Sequence, residues 1–344
     1  MELTGRREQI LSSIVEFYIA SGEPVGSKLL AEILPFQVSS ATIRNEMASL
    51  SEMGYLEQPH TSAGRIPSDK GLRYYVDRLL KGFSPSQSEM FRIGSGIDRF
   101  EGDTKRLLTQ SCEILSELTG TAALATTPYF ANALIRSVQL VPVEKRSVLV
   151  VLTTSAGVLQ SRIAQLDSEP DYELLELFYR VAAANFTGSV CAELTTPRMQ
   201  TIAASLGERS LDILPLLVSL GKAVEDSANA DVIVTGRARL LSQGLRAHAA
   251  EMIDLFEQPD AMLTLLKKPS SESEVRLTIG RENGYRFLDD ASLITCPYRA
   301  GDTEAGVIGV LAPIKTDYAH VIPLVKYLAG TVSELITTHI TQNE

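Results

Sequence analysis

Apolar positions over residues 1–82 recur at helical spacing and are broken at short intervals. Ile10, Ile14, Phe17 and Tyr18 share one helical face, and Thr4 stands where an N-cap belongs. A first helix over Thr4–Ala20 is therefore predicted, stopped by Ser21-Gly22-Glu23-Pro24. Leu29, Leu30 and Ile33 give a short second helix, Ser27–Leu34, capped by Ser27 and ended by Pro35. In the third, Ser39–Met53, the residues Ile43, Met47 and Leu50 form the buried stripe. The opposite face carries Ala41, Asn45 and Ala48, flanked by Thr42 and Arg44.

Beyond this helix the pattern changes. Gly54-Tyr55-Leu56-Glu57-Gln58-Pro59 and Arg65-Ile66-Pro67 read as two short strand-like ends. They flank a small-residue loop, His60-Thr61-Ser62-Ala63-Gly64, with Arg65 expected near its tip. A further helix, Ser68–Lys81, keeps Leu72, Tyr75, Val76, Leu79 and Leu80 apolar. Helix, helix, turn, helix, wing is the order of a winged helix-turn-helix, a DNA-reading architecture. A third helix with a small, polar leading end suits a major groove. Short side chains allow close approach, and arginine and asparagine make two-pronged contacts to guanine and adenine.

The remainder mixes strand and helix signals. Gly82–Ser88 opens a predicted linker, 83–101, rich in turn formers. Leu134–Val141, Val148–Thr153 and Val158–Ile163 alternate or run apolar, with a turn at Ser155-Ala156-Gly157. A second strand cluster falls at Val275–Ile279, Ser292–Thr295 and Val307–Leu311. Between the clusters the pattern is mainly helical, interrupted by Val232-Ile233-Val234. One α/β sheet domain built from 102–168 and 257–344, with a mainly helical insertion at 169–256, reconciles these signals. The chain closes on a helix whose stripe is Tyr318, Val321, Val325, Leu328, Val332 and Ile336. The fold class expected is α+β, in several domains.

Composition narrows the function. Over 344 residues, Lys and Arg number 32 against 42 Asp and Glu, a net charge of −10, so a uniformly basic nucleic-acid coat is excluded. The local balance differs. From His60 to Lys81 five bases (Arg65, Lys70, Arg73, Arg78, Lys81) face two acids (Asp69, Asp77), and no acid stands between Glu32 and Glu46. A positive wing beside a neutral reading helix suits a phosphate clamp. The residues expected at DNA are Ser39, Ser40, Ala41, Thr42, Arg44, Asn45, His60, Thr61, Ser62, Arg65, Lys70 and Arg73. Cys112, Cys191 and Cys296 are odd in number and far apart, which argues against a disulfide framework. The N-terminal stretch lacks a secretory apolar region, and no run is long enough for a membrane span, so a cytoplasmic location is expected.

At these residues the chain resembles a known family. Val25-Gly26-Ser27, Val38–Met47, Gly54-Tyr55-Leu56 and His60–Gly71, continued by Tyr74-Tyr75-Val76-Asp77, are similar to HrcA, the bacterial heat-inducible transcription repressor. Looser similarity runs on through Ile279-Gly280-Arg281-Glu282-Asn283, Gly306–Leu311 and Asp317-Tyr318 with Val321–Val325. Ahead of the last helix, Ala312–Tyr318 departs from the family's usual Gly-Pro-x-Arg-Met-Asp-Tyr run. The resemblance implies a GAF-like identity for the sheet domain and a dimerising role for the insertion. It also implies a homodimer that binds the inverted-repeat operators of class I heat-shock (chaperone) operons and represses them. A GroEL-type chaperonin keeps such a repressor active, and unfolded protein titrates that chaperonin away during heat shock.

Other chemistry is weaker. His60, His248, His320 and His339 are scattered, and no metal cluster, cofactor motif or catalytic constellation is apparent. The rival reading is a small-molecule sensor, with Tyr285, Phe287 and Tyr298 lining a pocket in the sheet domain; ordinary core is the commoner fate of such aromatics.

Overall fold

The structure, a computed structural model, describes residues 3, 5–60, 63–80, 84–97, 103–128, 134–154, 159–228, 230–242, 248–266 and 275–342. The expected cap Thr4, the loop residues Thr61 and Ser62, Lys81 and the Ser155–Gly157 turn lie outside them. The chain is of the α+β kind and divides into two compact units. One holds Met1–Ala125, Ile233–Pro297 and Val307–Val332; the other holds Thr126–Val232, Tyr298–Gly306 and Ser333–Glu344.

The first unit begins with three helices, α1 (Gly5–Ser21), α2 (Ser27–Ile33) and α3 (Ser40–Glu52). Ile10, Ile14, Leu30, Ile43 and Leu50 are fully buried between them. This is the apolar spacing of the sequence turned inward. The Ser27 cap expected for α2 is absent: the N-cap is Gly26, without a side-chain bond. A two-strand antiparallel ribbon follows, β1 (Leu56–Glu57) and β2 (Ile66–Pro67), with Leu56 opposite Pro67. The next helix, α4, is regular only over Asp69–Tyr74 and continues as a wider π-helical turn, Tyr75–Leu79.

The predicted linker contains a helix, α5 (Gln87–Ile97). Its signal is a capping box. Ser86 N donates to Glu89 Oε2 at 2.7 Å, and Glu89 N donates back to Ser86 Oγ at 3.3 Å. His320 Nε2 lies 2.6 Å from Glu89 Oε1. Hydrogen bonding from His320, and then from Ser86, holds the Glu89 carboxyl at about 2, against an ordinary 4.5. A carboxyl depressed in the folded state stabilises above its ordinary value and loses that contribution as pH falls through the folded one. Glu89→Gln is therefore expected to cost about 1–2 kcal/mol near pH 5.5 and clearly less near about pH 2. Thermal melts of both proteins at the two pH values check this; an equal cost at both would remove the carboxylate from the account.

Helix α6 (Thr104–Thr119) leads into a five-stranded sheet of order β7-β3-β10-β9-β8. Its strands are β3 (Ala122–Thr126), β7 (Val232–Thr235), β8 (Arg276–Ile279), β9 (Ala291–Ala300) and β10 (Thr303–Pro313). β3 runs antiparallel to β10, as β8 does to β9. The closing helix, α13 (Tyr318–Gln342), buries the whole predicted stripe from Tyr318 to Ile336.

The second unit corrects the single-sheet expectation. β4 (Ile135–Glu144), β5 (Ser147–Thr154) and β6 (Leu159–Gln165) form their own antiparallel meander. They satisfy one another's backbone bonds and bury Val148, Val150 and Leu152 on one face. That face meets α9 (Ser210–Ala228), which packs on β5 and β6 beside α8 (Thr196–Ala204), while α7 (Tyr172–Asn185) lies on β4. The compact segment is thus 126–232 rather than 169–256, and it is a sheet with helices rather than mainly helical. Helices α10 (Arg237–Ser242) and α11 (Ala249–Glu257), expected in the insertion wholly or in part, belong to the first unit, together with α12 (Pro259–Leu266). Periodicity tells which face of a strand is buried, not which sheet it joins.

Candidate nucleic-acid interface

Helix α3 starts from a built N-cap. Ser39 Oγ accepts from Thr42 N at 3.2 Å and lies 2.9 Å from Thr42 Oγ1, so both side chains serve the helix start. Ile43, Met47 and Leu50 face the core, which leaves Ala41, Arg44, Asn45 and Ala48 exposed together and Ser40 half-buried. Among the described residues, neither the Arg44 guanidinium nor the Asn45 amide has a hydrogen-bond or ion-pair partner. Glu46, the acid adjoining this face, is taken by a residue that sequence reasoning passed over: Arg7 of α1 donates from Nε to Glu46 Oε2 at 2.7 Å. No periodicity signals such a pair, because it joins residues 39 positions apart on different helices.

The ribbon is anchored through its backbone. Val25 N donates to Arg65 O at 2.8 Å, and Arg65 N donates to Val25 O at 2.9 Å. Gly64 must be glycine here, since a β-carbon would stand 2.4 Å from Val25 O. Arg65 is therefore tied through its backbone to the α1–α2 connection, on the loop side of the ladder, rather than standing free near the tip as expected. The described part of the tip is His60, which is exposed, and Ala63, whose N donates to His60 O at 2.9 Å.

Two expected DNA contacts are committed elsewhere. Lys70 Nζ donates to Met53 O at 2.7 Å and lies 4.4 Å above the Tyr55 ring, which ties α4 to the end of α3. Arg73 binds Glu282 through Nε and Nη2 and donates from Nη2 to Leu277 O at 2.7 Å. The π-helical widening follows directly after this arginine, and its guanidinium turns toward the sheet. Of the expected residues, the structure gathers Ser40, Ala41, Arg44 and Asn45 on one helix face, with Ser39 and Thr42 capping it, and separates Lys70 and Arg73 from them.

The remaining candidates have ordinary surroundings. Tyr298 is fully buried and donates to Thr126 O at 2.7 Å. Tyr285 and Phe287 lie against each other with centroids 5.4 Å apart. Cys112, Cys191 and Cys296 are buried free thiols. Among the described residues, no group of His, Cys, Asp and Glu could hold a metal ion. No described helix is long and apolar enough to cross a membrane.

A three-helix head with a ribbon, an uncompensated arginine on one helix face and a sheet-built body define the class of a transcription regulator. Comparison with known proteins gives the particular family. Residues 105–322 match the family described as HrcA protein C terminal domain. The chain is 34% identical to the heat-inducible transcription repressor HrcA of Acetivibrio thermocellus, over 97% of this chain and 96% of that one. It is 30% identical to the protein of that name from Syntrophobacter fumaroxidans, over 97% and 98%. Against that of Laribacter hongkongensis it is 32% identical, over 99% and 98%. A crystal structure of a hypothetical protein shares the fold, with a TM-score of 0.59 at 24% identity over 98% of this chain and 99% of that one. The chain belongs to the HrcA family, and it is a negative regulator of transcription rather than an enzyme.

Proposed function

We propose that this protein represses class I heat-shock (chaperone) operons from the cytoplasm, as a homodimer on an inverted-repeat operator. The N-terminal unit is a winged helix-turn-helix. Helix α3 enters the major groove with Arg44 and Asn45 at base edges, and Ser39, Ser40, Ala41 and Thr42 meet the backbone at its leading end. His60, Thr61, Ser62 and Arg65 of the ribbon take the adjacent phosphates. The observation that carries this reading is the free Arg44–Asn45 face beside a neutralised Glu46. Phosphate repels an unpaired carboxylate, and here the neighbouring acid is already matched.

The five-stranded body is GAF-like, and the inserted unit dimerises. Its outer sheet face supports that role: Val141, Leu149 and Ile163 stand directly opposite one another across three strands, and Val141 and Ile163 are 45% and 57% exposed. A GroEL-type chaperonin maintains the active form, as the resemblance implies. Repression follows from steric exclusion of polymerase. It is steep because loss of one native subunit removes both half-site contacts.

Footprinting of the purified protein over chaperone-operon promoters, with and without chaperonin, tests the proposal. Protection of an inverted repeat, strengthened by chaperonin, is expected; protection without sequence preference would overturn it. Arg65→Ala is expected to flatten the salt dependence of operator affinity by about one unit per subunit. An unchanged slope in a salt titration would remove Arg65 from the phosphate contacts.

A further inference from the structure

Two sequence motifs that lie far apart meet in one joint. Ser68-Asp69-Lys70-Gly71 opens α4 directly after the ribbon, and Ile279-Gly280-Arg281-Glu282-Asn283 forms the turn after β8. Asp69 Oδ2 accepts from Arg281 N at 3.1 Å across 212 residues of sequence. Gly280 has φ +55°, and a β-carbon there would stand 2.6 Å from Asp69 Oδ1. The turn therefore needs glycine twice, for its backbone angle and for the approaching carboxylate.

The second fastening is Arg73. Its guanidinium spans the Glu282 carboxylate and the Leu277 carbonyl, with Asp77 Oδ1 at 3.7 Å on its own helix. Glu282 is held in turn by Ile279 N at 2.8 Å. The sheet side of the joint is held by bonds that do not involve the arginine. Fully buried Asn283 donates to Gly280 O, Leu288 O and Ala291 O at 2.9, 3.3 and 2.9 Å, and it accepts from Thr278 Oγ1 at 2.6 Å. A planar guanidinium with two anchored acceptors fixes direction as well as distance, which an ammonium would not.

We propose that Arg73 and Asp69 are positioning residues for operator binding. They set the orientation of the three-helix head on the sheet body, and so the separation and phase at which a dimer presents its two reading helices. This inference rests on the dimeric operator-binding reading above. A joint that sets geometry matters only when both half-sites are engaged together, because a single head reads a single half-site at any orientation. The affinity gained from the second site depends on whether the connection can span it.

The test uses the full-length protein with Arg73→Glu, Glu282→Arg and the double exchange, each first confirmed as folded by its thermal melt. Arg73→Glu should weaken binding to the intact inverted repeat by about 10-fold and to an isolated half-site by less than about 2-fold, and the double exchange, which re-forms the ion pair without the Leu277 and Ile279 backbone bonds, should recover about 3-fold of that loss on the intact site. Equal losses on both DNAs with a flatter salt slope would make Arg73 a phosphate contact and overturn the proposal. So would full binding by the single variants, or no recovery in the double.

A DNA-free arm separates this inference from the functional reading. Spin labels at Glu32→Cys and Arg286→Cys, in labelled chains diluted with an excess of unlabelled ones, should give one narrow intrachain distance in the parent, a broad distribution with Arg73→Glu, and a narrower one again in the double exchange. An unchanged distribution with Arg73→Glu overturns the joint. Failure of the parent to prefer an inverted repeat over shuffled DNA overturns the operator reading instead.

Discussion

Arg44→Ala weakens binding to the cognate operator by about 1–3 kcal/mol per subunit, the range of one good two-pronged base contact. The expectation follows from its placement. Arg44 is exposed on the face of α3 opposite Ile43, Met47 and Leu50. The acid adjoining this face, Glu46, is bound to Arg7, at 2.7 Å. The guanidinium is thus available to DNA without first breaking an internal bond. Removing it should cost nothing in stability, because it supports nothing in the core. Titration of labelled operator and random duplex with both proteins separates the roles. A loss confined to operator marks base reading, and an equal loss on both DNAs marks a phosphate contact.

Gly71→Ala lowers stability by about 3 kcal/mol and takes operator binding with it. A β-carbon at Gly71 would stand 2.1 Å from Tyr55 O, with Leu11 Cδ1 at 3.6 Å behind it. The Tyr55 carbonyl cannot retreat freely, because it accepts from Ser68 N at 3.1 Å and Ser68 Oγ donates to Gly54 O at 2.6 Å. The helix must therefore move away from the ribbon. That motion drags Lys70 from Met53 and Arg73 from Glu282, so head and joint loosen together. Urea unfolding measures the first effect and operator titration below the melting temperature the second. A variant as stable as the parent would show that the α4–ribbon contact yields without cost.

The head was legible because its helices state themselves locally. Ile43, Met47 and Leu50 mark the buried stripe of α3, and Ser39 caps it where a serine should. β3 was not legible. Ala122, Ala123, Leu124 and Ala125 have no strand propensity to speak of, yet all are fully buried in mid-sheet. Tertiary burial overrides propensity there, and small side chains suit a strand covered on both faces. The single sheet expected from the pattern is two sheets in the fold for a related reason. The apolar run Val148–Thr153 signals a strand, but only α9, some sixty residues later, determines what buries it. Helix α5 was readable in principle, since Ser86-Gln87-Ser88-Glu89 carries the capping-box spacing within a stretch of turn formers.

For the candidate site, charge counting put Lys70 and Arg73 with Arg65 because all three follow the recognition helix closely. A net charge has no direction. Which cations face solvent is decided by partners distant in sequence, Met53 for Lys70 and Glu282 for Arg73. The same blindness hid Arg7, whose role is set by a carboxylate on another helix. The exposed placement of Arg44 and Asn45 follows from the helical period; the pairings of Lys70, Arg73 and Arg7 do not.

Repression as proposed rests on sequence-selective engagement of duplex DNA by two copies of α3. Fluorescence anisotropy of freshly purified protein at low salt, against a palindromic chaperone-promoter fragment and a shuffled duplex of equal length, measures it directly. Saturation at two chains per fragment is expected, with an affinity at least about a thousandfold above that for the shuffled duplex. Equal affinity for both duplexes would contradict it.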